Sequence, residues 1–247
     1  MEKVMFTGGQ RYTYTNGEPV ARYERVPFEI AEVITTYPPA EIHPKFADYG
    51  WVVGHDVTEF IPGVTAEMVD WWWGNMEKGY HIWAPGEHYG FDWLVPPCEV
   101  GYEGSTEISY EFDPYNPLII VRESIEKLPL KDCFEHCWLT SNKLGEAELL
   151  LVHMHQDVEG GIHWRTITIA KQWDLDYLDA HSDTFPTKSH MEYESGRLKD
   201  FLPQLWALWK DHPDPWQNVH FDLTVEQKPD GTWKHKYANK PPVKATT

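Results

Sequence analysis

The middle of the chain alternates apolar and polar residues with a period of two. Downstream of Ser105, apolar Ile108, Tyr110 and Phe112 alternate with polar Glu107, Ser109 and Glu111. This period predicts a strand with one apolar face and one face that carries carboxylates. A turn over residues 113–117 separates it from a second predicted strand over 118–121. Two further strands, over 148–156 and 162–170, flank the Gly160-Gly161 turn and predict a hairpin.

Two other segments carry helical signals. Thr65 follows Pro62-Gly63 and is a suitable N-cap, so we predict a helix over residues 66–76 that ends before Gly79. Residues 80–97 are rich in proline and glycine and predict an ordered loop or an irregular strand. A longer helix is predicted over 189–211, where one side carries His190, Glu194, Leu198, Phe201, Leu205, Leu208 and Trp209. Pro203 lies inside that pattern and predicts a kink, because it removes a backbone donor.

These elements predict an α+β arrangement, in which a meander of antiparallel strands packs against a long C-terminal helix. The chain of 247 residues suits one domain over residues 1–247. Within it we expect an N-terminal wrapping segment over 1–60, a core over 61–211 and a partly flexible C-terminal extension over 212–247.

The aromatic content changes the picture of the interior. Tryptophan and tyrosine occur 13 times each, and hydrophobic residues make up 41% of the chain. An interior with flat aromatic walls suits an aromatic ligand. The alternative is that most tryptophans simply fill a large core.

The charge and the cysteines exclude several classes of protein. A formal net charge of −18 argues against nucleic-acid and anionic-membrane partners, which require clustered Lys and Arg. Neither a long apolar run nor a signal-peptide pattern is present, so we expect a soluble cytoplasmic protein. Cys98, Cys133 and Cys137 predict reduced thiols rather than a disulfide framework. The segment 133–137 lacks the second ligand pair that a zinc knuckle needs.

Candidate metal ligands lie on three of the predicted elements. His190 and Glu194 are one helical turn apart and can reach one ion from one face. His88 in the proline-rich segment, with Glu111 or Glu107 on the first strand, would complete a set of N and O ligands. The alternative for the helical pair is a solvated face with a weak side-chain interaction.

Three sequence pieces in this order carry a family resemblance. The first is the segment from Pro62 through the Trp71-Trp72-Trp73 run, the second is Tyr80-x-x-Trp83-x-Pro85-x-x-His88, and the third is His190-x-x-x-Glu194 followed by Leu198-x-x-Phe201-Leu-Pro-Gln-Leu205. Over about residues 60–210 the set resembles the 2,4-diacetylphloroglucinol hydrolase family, which includes phloretin hydrolases. The resemblance implies a Bet v 1-like (START-like) helix-grip fold, in which a curved antiparallel sheet surrounds a long C-terminal helix and encloses a cavity.

The resemblance also implies a zinc site, with other divalent metals as alternatives. Carried over by motif, its ligands are His88, His190 and Glu194, with Glu111 as the fourth ligand and Glu107 as the runner-up. Tyr80 matches a tyrosine that hydrogen-bonds a phenolic oxygen of the substrate; its alternative role is that of a core aromatic residue. The family also uses a histidine on the later hairpin that is not a metal ligand; it corresponds to either His153 or His155, and each has a structural role as its alternative.

The implied reaction is hydrolysis of a carbon-carbon bond between an acyl group and a polyhydroxylated aromatic ring. The partner is then a small aromatic ketone, and a homodimer is one of the open oligomeric states. Two departures from the family pattern, Tyr89-Gly90-Phe91 after His88 and Gly74-Asn75 after the tryptophan run, leave the substrate open. The rival functions are a ligand carrier without catalysis and a metal-dependent lyase or cyclase acting on a phenolic polyketide.

Overall fold

The computed structural model describes residues 25–112, 115–213 and 218–241 in full and, nearer the N-terminus, the backbone of residues 3–7, 10–15 and 18–19. The predicted turn over 113–117 and the predicted flexible end fall partly outside these residues. In the described part of the chain the strands are β1 (Lys3–Thr7), β2 (Gln10–Thr15), β3 (Glu18–Pro19), β4 (Glu32–Val33), β5 (Trp51–Pro62), β6 (His88–Val95), β7 (Thr106–Glu111), β8 (Leu118–Arg122), β9 (His136–Leu144), β10 (Ala147–Val158), β11 (Gly161–Lys171), β12 (Val225–Gln227) and β13 (Trp233–His235). The α-helices are α1 (Ala66–Trp72), α2 (Tyr80–Trp83), α3 (Pro97–Val100), α4 (Gln172–Ala180) and α5 (Thr187–Trp209).

The body of the molecule is an eight-stranded antiparallel sheet in the order β4-β5-β11-β10-β9-β8-β7-β6. The predicted hairpin is confirmed: β10 and β11 pair from Leu149↔Ala170 to Val158↔Gly161. The first two predicted strands are confirmed as β7 and β8, which are also neighbours. Smaller sheets are formed by β1-β2-β3 and by β12-β13.

The predicted α+β Bet v 1-like helix-grip fold is wrong. The large sheet dominates the molecule, and only a few helices accompany it. The long helix α5 has 23 residues but is not the C-terminal element. Residues 218–241 return to the sheet, where Cys137 N donates to Leu223 O at 3.1 Å and Tyr102 N donates to Asn239 O at 2.9 Å.

Several elements differ from their predictions. Residues 51–60, predicted as wrapping segment, belong to β5, which pairs with β11 inside the main sheet. The segment predicted as loop or irregular strand over 80–97 forms α2 and β6. Both β9 and α4 were absent from the predictions. All three cysteines are free, and Cys137 lies in β9.

The helix α1 begins as predicted and ends earlier. Thr65 Oγ1 accepts a hydrogen bond from Met68 N at 3.3 Å, which caps the first turn. The helix ends at Trp72, before the predicted Met76. Asn75 explains the early end, because its Nδ2 donates to Trp71 O at 2.7 Å and to Val219 O at 2.6 Å. This amide ties the end of α1 to the returning C-terminal segment.

The tryptophan run lies in the core between the sheet and the helices. Trp71, Trp72 and Trp73 are each at most 1% exposed. The ring of Trp72 meets Phe201 of α5 edge-on, with centroids 5.2 Å apart.

Pro203 lies inside α5, which continues to Trp209. No helix among the described residues is long and apolar enough to span a membrane.

Candidate metal centre

The structure brings the four predicted metal ligands together. His88 opens β6, Glu111 closes β7, and the two residues are direct register partners in that antiparallel pair. His190 and Glu194 come from the first turns of α5, one helical turn apart. One ligand atom from each residue lies within 4.8 Å of the others. Three elements that are distant in sequence therefore converge on one point.

Contacts inside the cluster run between imidazole nitrogens and carboxylate oxygens. His88 Nε2 lies 2.8 Å from Glu194 Oε1, and His190 Nε2 lies 3.0 Å from the same oxygen. Glu111 Oε2 is 3.5 Å from His190 Nε2. His88, His190 and Glu194 are buried, and the Glu111 side chain is 12% exposed. Two carboxylates and two imidazoles thus share a site with little access to water.

The outer nitrogen of each histidine fixes the position of its proton. His88 Nδ1 lies 2.9 Å from the Tyr80 carbonyl oxygen, and His190 Nδ1 lies 2.7 Å from Glu87 Oε2. Because both partners are acceptors, both Nδ1 atoms must carry the proton. A neutral ring then turns its Nε2 lone pair toward the carboxylates, which is the arrangement found in metal-binding histidines.

The cluster has a donor set that fits a divalent cation. The buried Nε2 of His190 has no hydrogen-bond partner of good geometry among the described residues. Lone pairs of nitrogen and oxygen that face each other repel unless a cation or added protons lie between them. Two imidazole nitrogens and two carboxylate oxygens are ligands that Zn²⁺ accepts.

Without a metal, a proton bound to an imidazole has to balance the negative charge of the two carboxylates. Burial by itself would lower the pKa of His190, but Glu194, Glu111 and Glu87 outweigh burial and raise it well above its usual value. For Glu111 and Glu194, burial opposes ionisation, yet His190 holds the pKa of both carboxyls below the usual range. The metal-free site therefore favours a cationic imidazole between anionic carboxylates, and a divalent cation can replace that charge.

A second layer of side chains orients the ligands. Glu87, which accepts from His190, also pairs with Arg25 at 2.6 Å. The Arg25 guanidinium lies over the Tyr193 ring at 4.3 Å and donates to the Ser189 carbonyl oxygen at 3.0 Å. Neither Glu87 nor Arg25 was predicted. The only sequence signal for Glu87 is that it directly precedes His88, and Arg25 has none.

Tyr80, predicted to contact the substrate, is placed against the ligands. Its hydroxyl donates to Glu111 Oε1, and its ring stacks on His88 with centroids 3.9 Å apart and planes 7° apart. Burial, and then the neighbouring Glu111, raise the pKa of Tyr80 well above its usual value, so the hydroxyl keeps its proton. The described geometry gives Tyr80 a ligand-orienting position.

A cavity of about 540 Å³, including its opening to solvent, lies beside the cluster. Glu111, His190 and Glu194 form part of its wall. The remainder is mostly aromatic and aliphatic, with the polar side chains Glu107, Asn142 and His153 among the lining residues. A ligand in this cavity would therefore face both the candidate metal centre and flat aromatic surfaces.

The structure separates the two candidate histidines of β10. His153 lines the cavity, stacks on Trp73 with planes 13° apart, and has its Nδ1 3.0 Å from Thr166 Oγ1. Burial lowers the pKa of His153 to about 4, so its ring is neutral near pH 7. His155 is absent from the cavity wall, and its Nε2 lies 2.9 Å from Asp70 Oδ1.

Asp70, His136 and His155 form a second buried group of potential ligands. The two oxygens of Asp70 accept from His155 Nε2 at 2.9 Å and from His136 Nδ1 at 2.8 Å. The backbone N–H of Leu223 adds a third hydrogen bond at 2.9 Å. Each contact pairs a donor with an acceptor, so both oxygens of Asp70 are satisfied, whereas the buried Nδ1 of His155 has no partner among the described residues.

Glu107, the runner-up for the fourth ligand, lies outside the metal cluster. Its carboxylate pairs with Arg122, with Nη2 2.7 Å from Oε2. Glu111 instead lies within reach of the other three ligands. The geometry therefore favours Glu111 over Glu107.

Comparisons with known proteins leave the family open. No protein-family model matches the chain, and no curated protein matches it. The chain has a distant structural likeness to protein Ms6760 from Mycobacterium smegmatis, with 11% identity, a TM-score of 0.41 and coverage of 62% of this chain and 97% of that one. A protein from Rhodobacter sphaeroides shows 16% identity, a TM-score of 0.40 and coverage of 63% and 99%. An uncharacterized protein from Rhizobium leguminosarum shows 15% identity, a TM-score of 0.36 and coverage of 62% and 98%. Structural similarity this weak supports no inference about function. The proposed function therefore rests on the chemistry of the site.

Proposed function

We propose that the protein is a metal-dependent hydrolase that cleaves the carbon-carbon bond between an acyl group and a polyhydroxylated aromatic ring. One observation carries the metal part of the proposal: both imidazoles turn their Nε2 atoms toward two carboxylates, while both Nδ1 atoms are held by acceptors. The aromatic cavity beside the cluster and the ordered sequence motifs support the substrate part.

The residues of the cluster would bind and orient the cation. His88, Glu111, His190 and Glu194 would hold Zn²⁺ or a similar divalent ion, which would supply Lewis acidity and a bound water of lowered pKa. Tyr80 and Glu87 keep the ligand side chains in place through their hydrogen bonds. Two anionic ligands moderate the acidity of the ion, so positioning of the acyl carbonyl matters as much as its polarisation.

Release of the ring is the difficult step of such a reaction. Water adds its oxygen to the acyl carbon, the carbon-carbon bond breaks, and the ring carbon takes up a proton, which gives a carboxylic acid and a deacylated ring. The step is feasible when the ring reacts as its keto tautomer, because the departing electron pair then lies on a phenolic oxygen. Neutral His153 lines the cavity and can hydrogen-bond such an oxygen.

A carrier that only encloses an aromatic ligand would need the cavity but not the cluster. Four ligand atoms within 4.8 Å of one another, on residues of which three are buried, would cost a carrier desolvation free energy without benefit. A lyase or cyclase would use the same metal centre. The reaction products separate that alternative from the hydrolase.

The test combines metal analysis with product analysis. We expect purified protein supplied with Zn²⁺ to retain about one zinc per chain and to convert an acylphloroglucinol into a free carboxylic acid and the deacylated ring. His190→Ala should lose both the zinc and the turnover, whereas the exposed His220→Ala control should keep both. Full turnover by chelated, zinc-free protein would contradict the metal mechanism. A product that retains all the carbon atoms of the substrate would contradict the hydrolysis.

A further inference from the structure

A third carboxylate, Glu107, lines the same cavity and has no part in the metal cluster. Glu107 lies four residues before Glu111 on the same face of β7, so both side chains point to the interior. It is 1% exposed and lines the cavity. Its burial and its place in the wall suggest a role toward the ligand.

Arg122 holds this carboxylate in a fixed position. The guanidinium Nη2 lies 2.7 Å from Glu107 Oε2 and donates to the Trp73 carbonyl oxygen at 3.1 Å. The Arg122 guanidinium also lies 4.6 Å from the centre of the Trp93 ring. Arginine keeps its charge in proteins, and Glu107 is the only carboxylate paired with Arg122 among the described residues. Burial raises the pKa of Glu107 to about 7 against the opposing charge of Arg122, and the nearby Glu111 and Glu194 also raise it, so the carboxylate is ionised above that pH.

The carboxylate has acceptor capacity to spare. Apart from the pair with Arg122, no hydrogen bond to Glu107 is found in the part of the chain that the structure describes. An ionised carboxylate only accepts hydrogen bonds, so a ligand beside it must offer a donor. The indole N–H groups of Trp73 and Trp138, which line the same cavity, likewise lack partners among the described residues.

We propose that Glu107, fixed by Arg122, is the residue that selects a ring with a free hydroxyl. A hydroxyl group on an aromatic ring can donate to the carboxylate, whereas its methyl ether can only accept a hydrogen bond. The identity of the acylated ring rests on the proposed function, but the selection of hydroxyl over ether rests on Glu107 itself. A site built around a hydrogen bond rejects ligands that leave its buried polar group unpaired.

The test measures binding without turnover. Zinc-supplemented protein is titrated with 1,3,5-trihydroxybenzene and with its mono-, di- and trimethyl ethers, and the fluorescence of the tryptophans in the cavity reports binding. We expect full methylation to weaken binding to the wild type about 10- to 100-fold, the usual value of a hydrogen bond to a charged group. In Glu107→Gln the preference should fall, because the amide is a weaker acceptor and lacks the charge. Glu103→Gln, an exposed glutamate before the same strand, is the matched control and should keep the preference.

Loss of Glu107 alone leaves the Arg122 charge buried and unpaired, which can unfold the protein. The double variant Glu107→Gln/Arg122→Met removes both charges at similar volume. We expect it to fold and to bind the phenol and its ethers within about threefold of each other, since no charged acceptor is left to discriminate them. Equal binding of phenol and ethers by the wild type, or full discrimination by the double variant, would overturn the inference. Discrimination without turnover of any acylated ring would leave it standing and overturn only the proposed hydrolysis.

Discussion

At the scale of single residues, the placement of one proton on each histidine decides what the cluster can hold. His190 donates from Nδ1 to Glu87, and the negative charge of Glu87 makes Nε2 a stronger ligand. Arg25 in turn fixes Glu87 at 2.6 Å. A carboxylate that is not itself a candidate ligand would thus raise the affinity of the site for a metal through the imidazole.

We predict that Glu87→Gln weakens zinc binding about 10- to 100-fold, as is typical when the partner of a metal-binding histidine is changed. The glutamine can still accept a hydrogen bond from His190 Nδ1. The loss of affinity would therefore measure the effect of the negative charge of Glu87 rather than of its hydrogen bond. Competition with a chromophoric chelator measures the affinity. Glu99→Gln, an exposed glutamate at the end of α3, serves as the control and should bind zinc as the wild type does. Unchanged affinity in Glu87→Gln would show that His190 needs no such partner.

Spacing alone could find some of the site residues but not all. His190 and Glu194 follow from one helical turn, and His88 from its motif. Spacing leaves Glu111 and Glu107 as alternatives, because both lie on the same face of one strand, and only the family resemblance ranked Glu111 first. The pairing of Glu111 with His88 across β6 and β7 makes that choice, and cross-strand register is not encoded in a local pattern.

At the scale of elements, the alternation of apolar and polar residues identified β7 but did not show which face of the strand points to the interior. The side chains of Glu107 and Ser109 are buried, while Ile108 and Tyr110 are only half-buried. Polar side chains on the inner face of a sheet are unusual. Here Glu107 lines the cavity, and Ser109 donates a hydrogen bond to the candidate ligand Glu111. β5 was missed because polar residues interrupt its pattern; one of them, Asp56, is satisfied by Arg165 at 2.8 Å. Such tertiary partners override the local signal.

Asp70 is the element-scale link between α1, the sheet and the returning C-terminal segment. It is 3% exposed and accepts from His136 of β9, His155 of β10 and the backbone of Leu223. We predict that Asp70→Asn lowers the free energy of unfolding by about 3 kcal/mol, because it leaves buried partners without their charge. Urea unfolding followed by tryptophan fluorescence measures the loss. Asp179→Asn, an exposed change on α4, should have little effect.

The loss of stability in Asp70→Asn should depend on pH, because His136 titrates. Burial opposes the charged form of His136, but its hydrogen bond to Asp70 wins and raises the pKa. A raised pKa gives stability that is complete below the unfolded value of about 6.5 and is lost as pH rises through the folded value. The difference in stability between wild type and Asp70→Asn should therefore be larger at pH 6 than at pH 9. A difference that grows toward pH 9 would contradict a charged His136–Asp70 pair.

At the scale of the whole molecule, the candidate metal centre joins one edge of the main sheet to the long helix. His88 and Glu111 come from β6 and β7 at that edge, and His190 and Glu194 come from α5. The helix-grip prediction failed at this scale, because neither the number of strands nor the path of residues 218–241 can be inferred from one segment at a time. Because the candidate ligands converge from distant elements, a bound metal would stabilise the fold.

A ligand that binds only the folded state stabilises it by mass action, and four ligands on three elements do not meet in the unfolded chain. At a free zinc concentration about 100 times the dissociation constant the gain is about 2.7 kcal/mol. For a domain of this size that gain raises the melting temperature by about 5 to 10 °C. Thermal unfolding with zinc and with a chelator measures the shift. His190→Ala should show a shift near zero, whereas His220→Ala should match the wild type. An equal shift in His190→Ala and wild type would place the bound zinc elsewhere on the molecule.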